Sequence, residues 1–317
     1  LGGLCSFAVG VAGAFAIMQG FSLGRRPGTA LARFREGLVR CDVAPSETVA
    51  GLRTYAAEAS WIGVGVLEAV VAVVALGCAL GAIVANGRKV RHRWEWWLLL
   101  VLGAAAVAFD IHEVNKIAAA GNAPEGILSD LLSTLPDGCA AVVRGSVRWA
   151  RLIGESTGVC MGVAMCTVVV LPNRPDAFEL AQRTTRIQRL LYASSLLFVV
   201  GILMSRANFT WVLAHWDASD EKISKALDEV VHVGVLQAGV GYSALLVAFF
   251  LPARAFLGSL VAPLIPLELR VDAEARQKWL AAHGLTASWQ DDARQLFALL
   301  APVLSAPVVD AIAKSSG

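Results

Sequence analysis

Apolar residues along the chain gather into six runs, near 3–23, 61–86, 97–116, 150–171, 190–214 and 230–253. Charged or turn-rich stretches separate them. At about 1.5 Å of rise per helical residue, each run is long enough to cross a hydrocarbon core of about 30 Å. The pattern predicts an all-α, polytopic transmembrane helical bundle of about six spans over residues 1–256, with a short helical cytoplasmic tail over 257–317. The third run is the least regular, because Asp110, His112 and Glu113 enter its second half. The first run, Leu4–Phe21, is longer than a signal-peptide core and no basic stretch precedes it. It is read as a span whose N-terminal side has been processed or trimmed, since residue 1 is Leu1.

The stretches between the runs set an orientation. The 87–93 loop holds Arg88, Lys89, Arg91 and Arg93 with no acid, and the 172–189 loop holds Arg174, Arg183, Arg186 and Arg189. Positive loops face the cytoplasm, so both termini are expected there, in an inner or plasma membrane. The acidic 213–229 stretch suits the outside. The 24–60 stretch opposes this assignment, because it carries Arg25, Arg26, Arg33, Arg35, Arg40 and Arg53 on the side assigned as outer. Trp61, Trp149, Trp211 and Trp216 fall at the outer boundary and Trp94, Trp96 and Trp97 at the inner one, where amphipathic indoles favour the headgroup level.

Within the connecting stretches, Leu31, Phe34, Leu38 and Val39 are spaced for one face of a surface helix. GNAPEG and LPDGC, near 121–126 and 135–139, are turn signals. In the tail, Asp272 is placed to cap a helix ending before Gly284. Ser288 is placed to cap a second, with Trp289, Leu296, Phe297 and Leu300 on a shared face; Pro302 is expected to interrupt it, and Ala306–Lys314 to form a third.

Composition agrees with the periodicity. Of 317 residues, 56% are hydrophobic and 16% charged, against about 25% charged in soluble domains. A net charge of +2, with no basic run interleaved with aromatics, argues against a nucleic-acid partner. The 257–317 tail contains no phosphate-binding loop, nucleophile elbow or zinc-protease motif, and a non-enzymatic role is the expectation.

Five strongly polar residues interrupt the apolar runs: Glu68, Asp110, Glu155, Arg206 and Gln237. In the assigned orientation all five lie in the outward halves of their spans. A charge in lipid is costly, so such residues face protein or water and often mark function. Three acids against one arginine make this layer net negative. It is read either as a structural network, with Arg206 satisfying one acid, or as an outward-facing polar cavity that attracts cations or relays protons.

Other motifs are less specific. Gly154, Gly158 and Gly162 recur every fourth residue, as do Gly77 and Gly81, which lets helices approach closely inside the bundle or between subunits. His112, His215 and His232 fall at one outer level near carboxylates, which admits a metal or haem site without strong ligand spacing. Cys41 and Cys139 share a side and could form a disulfide there. Asn208-Phe209-Thr210 matches a glycosylation sequon but lies inside an apolar run. Three functions compete: a channel or transporter for cations or protons, a non-enzymatic subunit of a larger membrane complex, and a metal- or haem-binding redox subunit. The expected surroundings are a lipid bilayer with copies of the chain or other membrane subunits; no particular cofactor is indicated.

Overall fold

The computed structural model describes residues 49–87, 96–101, 103–105, 107–108, 137–170, 176–214, 221–269, 272–286 and 289–315; within these, the side chains of 49–56, 58, 137–144, 146–151, 212–230, 237 and 309–315 are not described. Every regular element among the described residues is helical. The long helices are α1 (Val49–Gly87), α3 (Asp137–Val169), α4 (Ala177–Ala214), α5 (Glu221–Ser259) and α7 (Trp289–Ser315). The shorter ones are α2 (Trp96–Ala105) and α6 (Ala273–Ala282). Among the described residues four helices are long and apolar enough to cross a membrane, over Ala59–Gly87, Leu152–Val169, Ala177–Trp211 and Val231–Leu264. They match the second, fourth, fifth and sixth runs of the sequence. The first run, the surface helix proposed for 31–39 and the later part of the third run lie outside the described residues.

The helices outlast the apolar runs. α1 begins at Val49, well before Trp61, and α4 begins at Ala177, so the expected 172–189 loop is helical from that residue on. α3 starts at Asp137, and the Asp-Gly pair read as a turn instead opens a helix. Lipid cannot pair backbone N–H and C=O groups, so a spanning segment satisfies them within itself. Continuing the helix past the apolar boundary carries its unsatisfied ends toward water.

α4 is the centre of the bundle and packs against α1, α3, α5 and α7. Leu180, Ile187, Leu190, Leu191, Leu197 and Ile202 on it are fully buried. α1 runs antiparallel to α4, since Trp61 meets Asn208 at one end and Asn86 meets Arg186 at the other. α1 turns its small residues inward: Ala72, Ala75, Ala79 and Ala82 are buried, whereas Val66, Val70, Val73 and Val74 are exposed. That arrangement is the reverse of a soluble helix. Between helices already in lipid, close backbone approach drives packing and large apolar side chains can face the acyl chains.

The 257–317 region contains the predicted α6. Asp272 accepts hydrogen bonds from the backbone N–H groups of Glu274 (2.9 Å) and Ala275 (3.1 Å). Gly284 closes the helix with φ +67°, in the left-handed region that costs glycine nothing. The N–H of Gly284 donates to Ala281 and that of Leu285 to Leu280, which satisfies the last carbonyls. The remainder departs from the expected short helices. α7 is one helix through both Pro302 and Pro307, and it lies along α4 and α5 rather than forming a separate module.

Candidate functional site

Glu68 lies about two and a half turns into the α1 span and is 5% exposed. It faces α3 at Gly154, where an added Cβ would stand 3.3 Å from its Oε1. The absent side chain at Gly154 therefore makes the space that the carboxyl fills. Among the described residues no hydrogen bond or ion pair holds this carboxyl, and none joins it to Arg206. Arg206 is buried on α4 and Glu155 is half-buried on α3, next to Gly154. Glu68, Glu155 and Arg206 thus come from three mutually packed helices. Asp110 lies outside the described residues; Gln237 is on α5, with its side chain outside them.

The same three helices carry buried polar groups that sequence reasoning did not pick out. Trp61 Nε1 donates to Asn208 Oδ1 at 2.7 Å, and the Trp61 and Trp211 rings stack with centroids 5.4 Å apart. One turn below, Gly65 leaves room for Met204. Ser156, Thr157, Ser194 and Ser195 are buried on α3 and α4. Asn208 belongs to the sequon match inside an apolar run, and its burial against Trp61 gives that residue a structural occupation. Both indoles fit the pattern of headgroup anchors, which by itself does not reveal their pairing.

A second polar cluster closes the opposite, arginine-rich end. Arg183, 0% exposed, donates from Nη1 to the carbonyls of Val168 (2.6 Å) and Val170 (2.7 Å) at the end of α3. Its Nε donates to Glu179 Oε1 at 2.9 Å. The guanidinium thus caps a helix C-terminus where unpaired carbonyls concentrate negative partial charge. Arg186 Nη1 donates to Asn86 Oδ1 at 2.8 Å, Asn86 Nδ2 to Thr167 Oγ1 at 3.2 Å, and Thr167 in turn to the Ala164 carbonyl at 2.7 Å. This chain of donors ties α1, α3 and α4 together. The Glu179–Arg183 spacing of four was visible in the sequence, but assigning 172–189 to a loop concealed that the pair shares a helix face.

The glycine positions divide by role. A Cβ added at Gly158 would stand 3.4 Å from the Phe198 ring and one at Gly162 3.3 Å from the Phe249 ring, so the α3 glycines accommodate side chains of α1, α4 and α5 within the chain. Gly77 and Gly81 on α1 are exposed with open space beyond their Cα atoms. Of the three histidines, His232 is half-buried on α5, and His112 and His215 lie outside the described residues. Among the described residues no group of three His, Cys, Asp or Glu side chains could hold a metal. Cys41 lies outside the described residues, and Cys139 is in the first turn of α3 with its side chain not described. Cys78, Cys160 and Cys166 are free thiols. Comparison of the chain with protein-family models, curated proteins and solved structures finds no match in any of the three.

Proposed function

We propose that this chain is an integral membrane protein of the inner or plasma membrane that moves cations or protons as a channel or transporter. An outward-facing polar cavity would lie around Glu68, Glu155 and Arg206. The observation that carries this reading is the burial of Glu68 with no cation beside it among the described residues. A structural acid at membrane depth would be expected to face a basic partner, and the nearest basic side chain in sequence depth, Arg206, does not pair with it. A carboxyl left this way can bind a transient cation or carry a proton, which a permanent ion pair would prevent. Gly154 supplies the room beside it. The arginine-rich cluster at the other end, placed at the cytoplasm, anchors the helices that frame the cavity.

The test is flux in proteoliposomes prepared with purified protein, following protons with a trapped pH dye and monovalent cations by isotope uptake. The Glu68→Gln variant keeps the shape and removes the charge. Its flux should fall at least about tenfold, corresponding to about 1.4 kcal/mol of barrier, while the protein remains monodisperse. Unchanged flux would remove Glu68 from the path.

A second reading is a non-enzymatic subunit of a larger membrane complex or homo-oligomer. It draws on Gly77 and Gly81, which present a smooth open strip on the outer face of α1 instead of being used inside the bundle. Native mass spectrometry of gently extracted protein separates the two. Defined foreign subunits support this reading, and a monomer or closed homo-oligomer with flux supports the first.

A further inference from the structure

We infer that α7 is an additional membrane crossing whose outer face meets lipid acyl chains, so that the chain changes sides between residue 286 and residue 316. This inference rests on the bundle being embedded in a membrane and on no transport activity.

Three observations support it. First, α7 runs alongside α5 in the opposite direction. Asp292 pairs with Arg254 at 2.9 Å, the Val303 N–H donates to Ser243 Oγ at 3.3 Å, and Ala306 packs with Val231, Val235 and Ile202. Val231 and Arg254 lie near the two ends of the apolar part of α5. On α7 the contacts from Asp292 to Ala306 cover about 21 Å, and the helix as a whole, Trp289–Ser315, is about 39 Å long, enough for a hydrocarbon core of about 30 Å.

Secondly, the seam is a close helix–helix joint. A Cβ on Gly239 would stand 2.8 Å from the Pro302 carbonyl oxygen, so only glycine lets the α7 backbone reach α5 at that point. Small residues at the contact are how helices associate when lipid surrounds them.

Thirdly, the face of α7 turned away from the bundle is as apolar as the face turned toward it. Leu296 (57% exposed), Phe297 (68%), Leu300, Leu304 and Val308 (56%) point outward, whereas Ala298, Leu299 and Ala306 are buried. A helix docked on a bundle in water would carry charge on that outer face. From Leu296 to Ala313 the only charged residue is Asp310. The outer face also continues the exposed apolar surface of α5, where Val233, Leu236, Val240 and Leu245 are uncovered. One solvent therefore has to suit both surfaces, and acyl chains do. Beside Pro302, Ser243 Oγ accepts from the Val303 N–H and Ser305 Oγ donates to the Pro302 carbonyl at 2.8 Å.

Single cysteines at Thr286 and Ser316, in a background lacking the six native cysteines, are labelled with an impermeant maleimide in sealed membranes. Opposite sidedness is expected, with Thr286→Cys sharing the side of Lys89→Cys. Labelling of Thr286→Cys and Ser316→Cys from one side would overturn the crossing. If the cysteine-free background fails to insert, epitopes placed after Gly284 and after Gly317 in the native-cysteine chain are read by protease protection, with the same two outcomes. A nitroxide on Leu300→Cys in vesicles of phosphatidylcholine tests the occupant. Relaxation by oxygen but not by a water-soluble nickel chelate is expected. Strong relaxation by nickel would show that this face meets water, and weak relaxation by both would show that protein covers it; either result overturns the lipid contact.

Discussion

The two polar regions of the bundle treat charge in opposite ways. At the arginine-rich end, Arg183 spends three of its donors on Glu179 and two carbonyls, and Arg186, Asn86 and Thr167 form a continuous chain of donors across three helices. Toward the other end of the bundle, Glu68 is nearly as buried but has no cation beside it among the described residues. The first region is organised to hold helices together, and its polar groups gain from staying where they are. The second carries an acid whose burial does not stabilise the fold, so its presence calls for another explanation. Burial and charge alone do not separate a joint from a site; the partners do.

Mutations should split the two regions by size and by sign. Arg183→Ala should have the largest effect. It strips Glu179 and the end of α3 of their donor, and removing one member of a buried ion pair costs about 3–5 kcal/mol. Thermal unfolding in detergent should show a large loss, with Arg183→Lys recovering only part because an ammonium lacks the planar fork. Asn86→Ala should cost about 1–3 kcal/mol by leaving the Arg186 donor and Thr167 without their shared partner, measured in the same way.

At the other region, Asn208→Ala should cost about 1–2 kcal/mol, because it leaves Trp61 Nε1 buried without an acceptor while the Trp61–Trp211 stack persists. A red-shifted tryptophan emission would instead show that the stack had opened. Glu68→Gln should have the smallest effect on stability, under about 1 kcal/mol and of either sign, since it removes a charge that no partner among the described residues compensates. A loss at Glu68→Gln as large as that at Arg183→Ala would mean that the carboxyl is a structural partner, and the contrast between the two regions would collapse.

Much of the fold was legible because lipid imposes a simple rule. Four of the six apolar runs correspond to helices able to cross a membrane, and the Asp272 cap and Gly284 stop appear where local chemistry put them. Helix ends were less legible. The arginines at 183, 186 and 189 read as a charged loop because the pattern shows polarity and not the hydrogen bonds that carry α4 through them. Glu68 stood out as an acid in an apolar run, but its lack of a partner depends on helices far apart in sequence. The face each helix turns inward was also hidden. On α1 the buried seam is alanine and the exposed face is valine, so hydrophobicity gives no direction and only side-chain size does.

The sequence by itself determined that the chain is helical and that its apolar segments are long enough for a bilayer, because every backbone group in lipid has to be paired within its own helix. Only the tertiary structure decided which residues meet. It put Glu68 against the space at Gly154, Asn208 against Trp61, and Arg183 on the end of α3. It also laid Trp289–Ser315 along α5 through the close approach of Gly239 to Pro302. These outcomes depend on steric fit and on donors meeting acceptors between helices distant in sequence, which no local pattern of apolar and polar residues records.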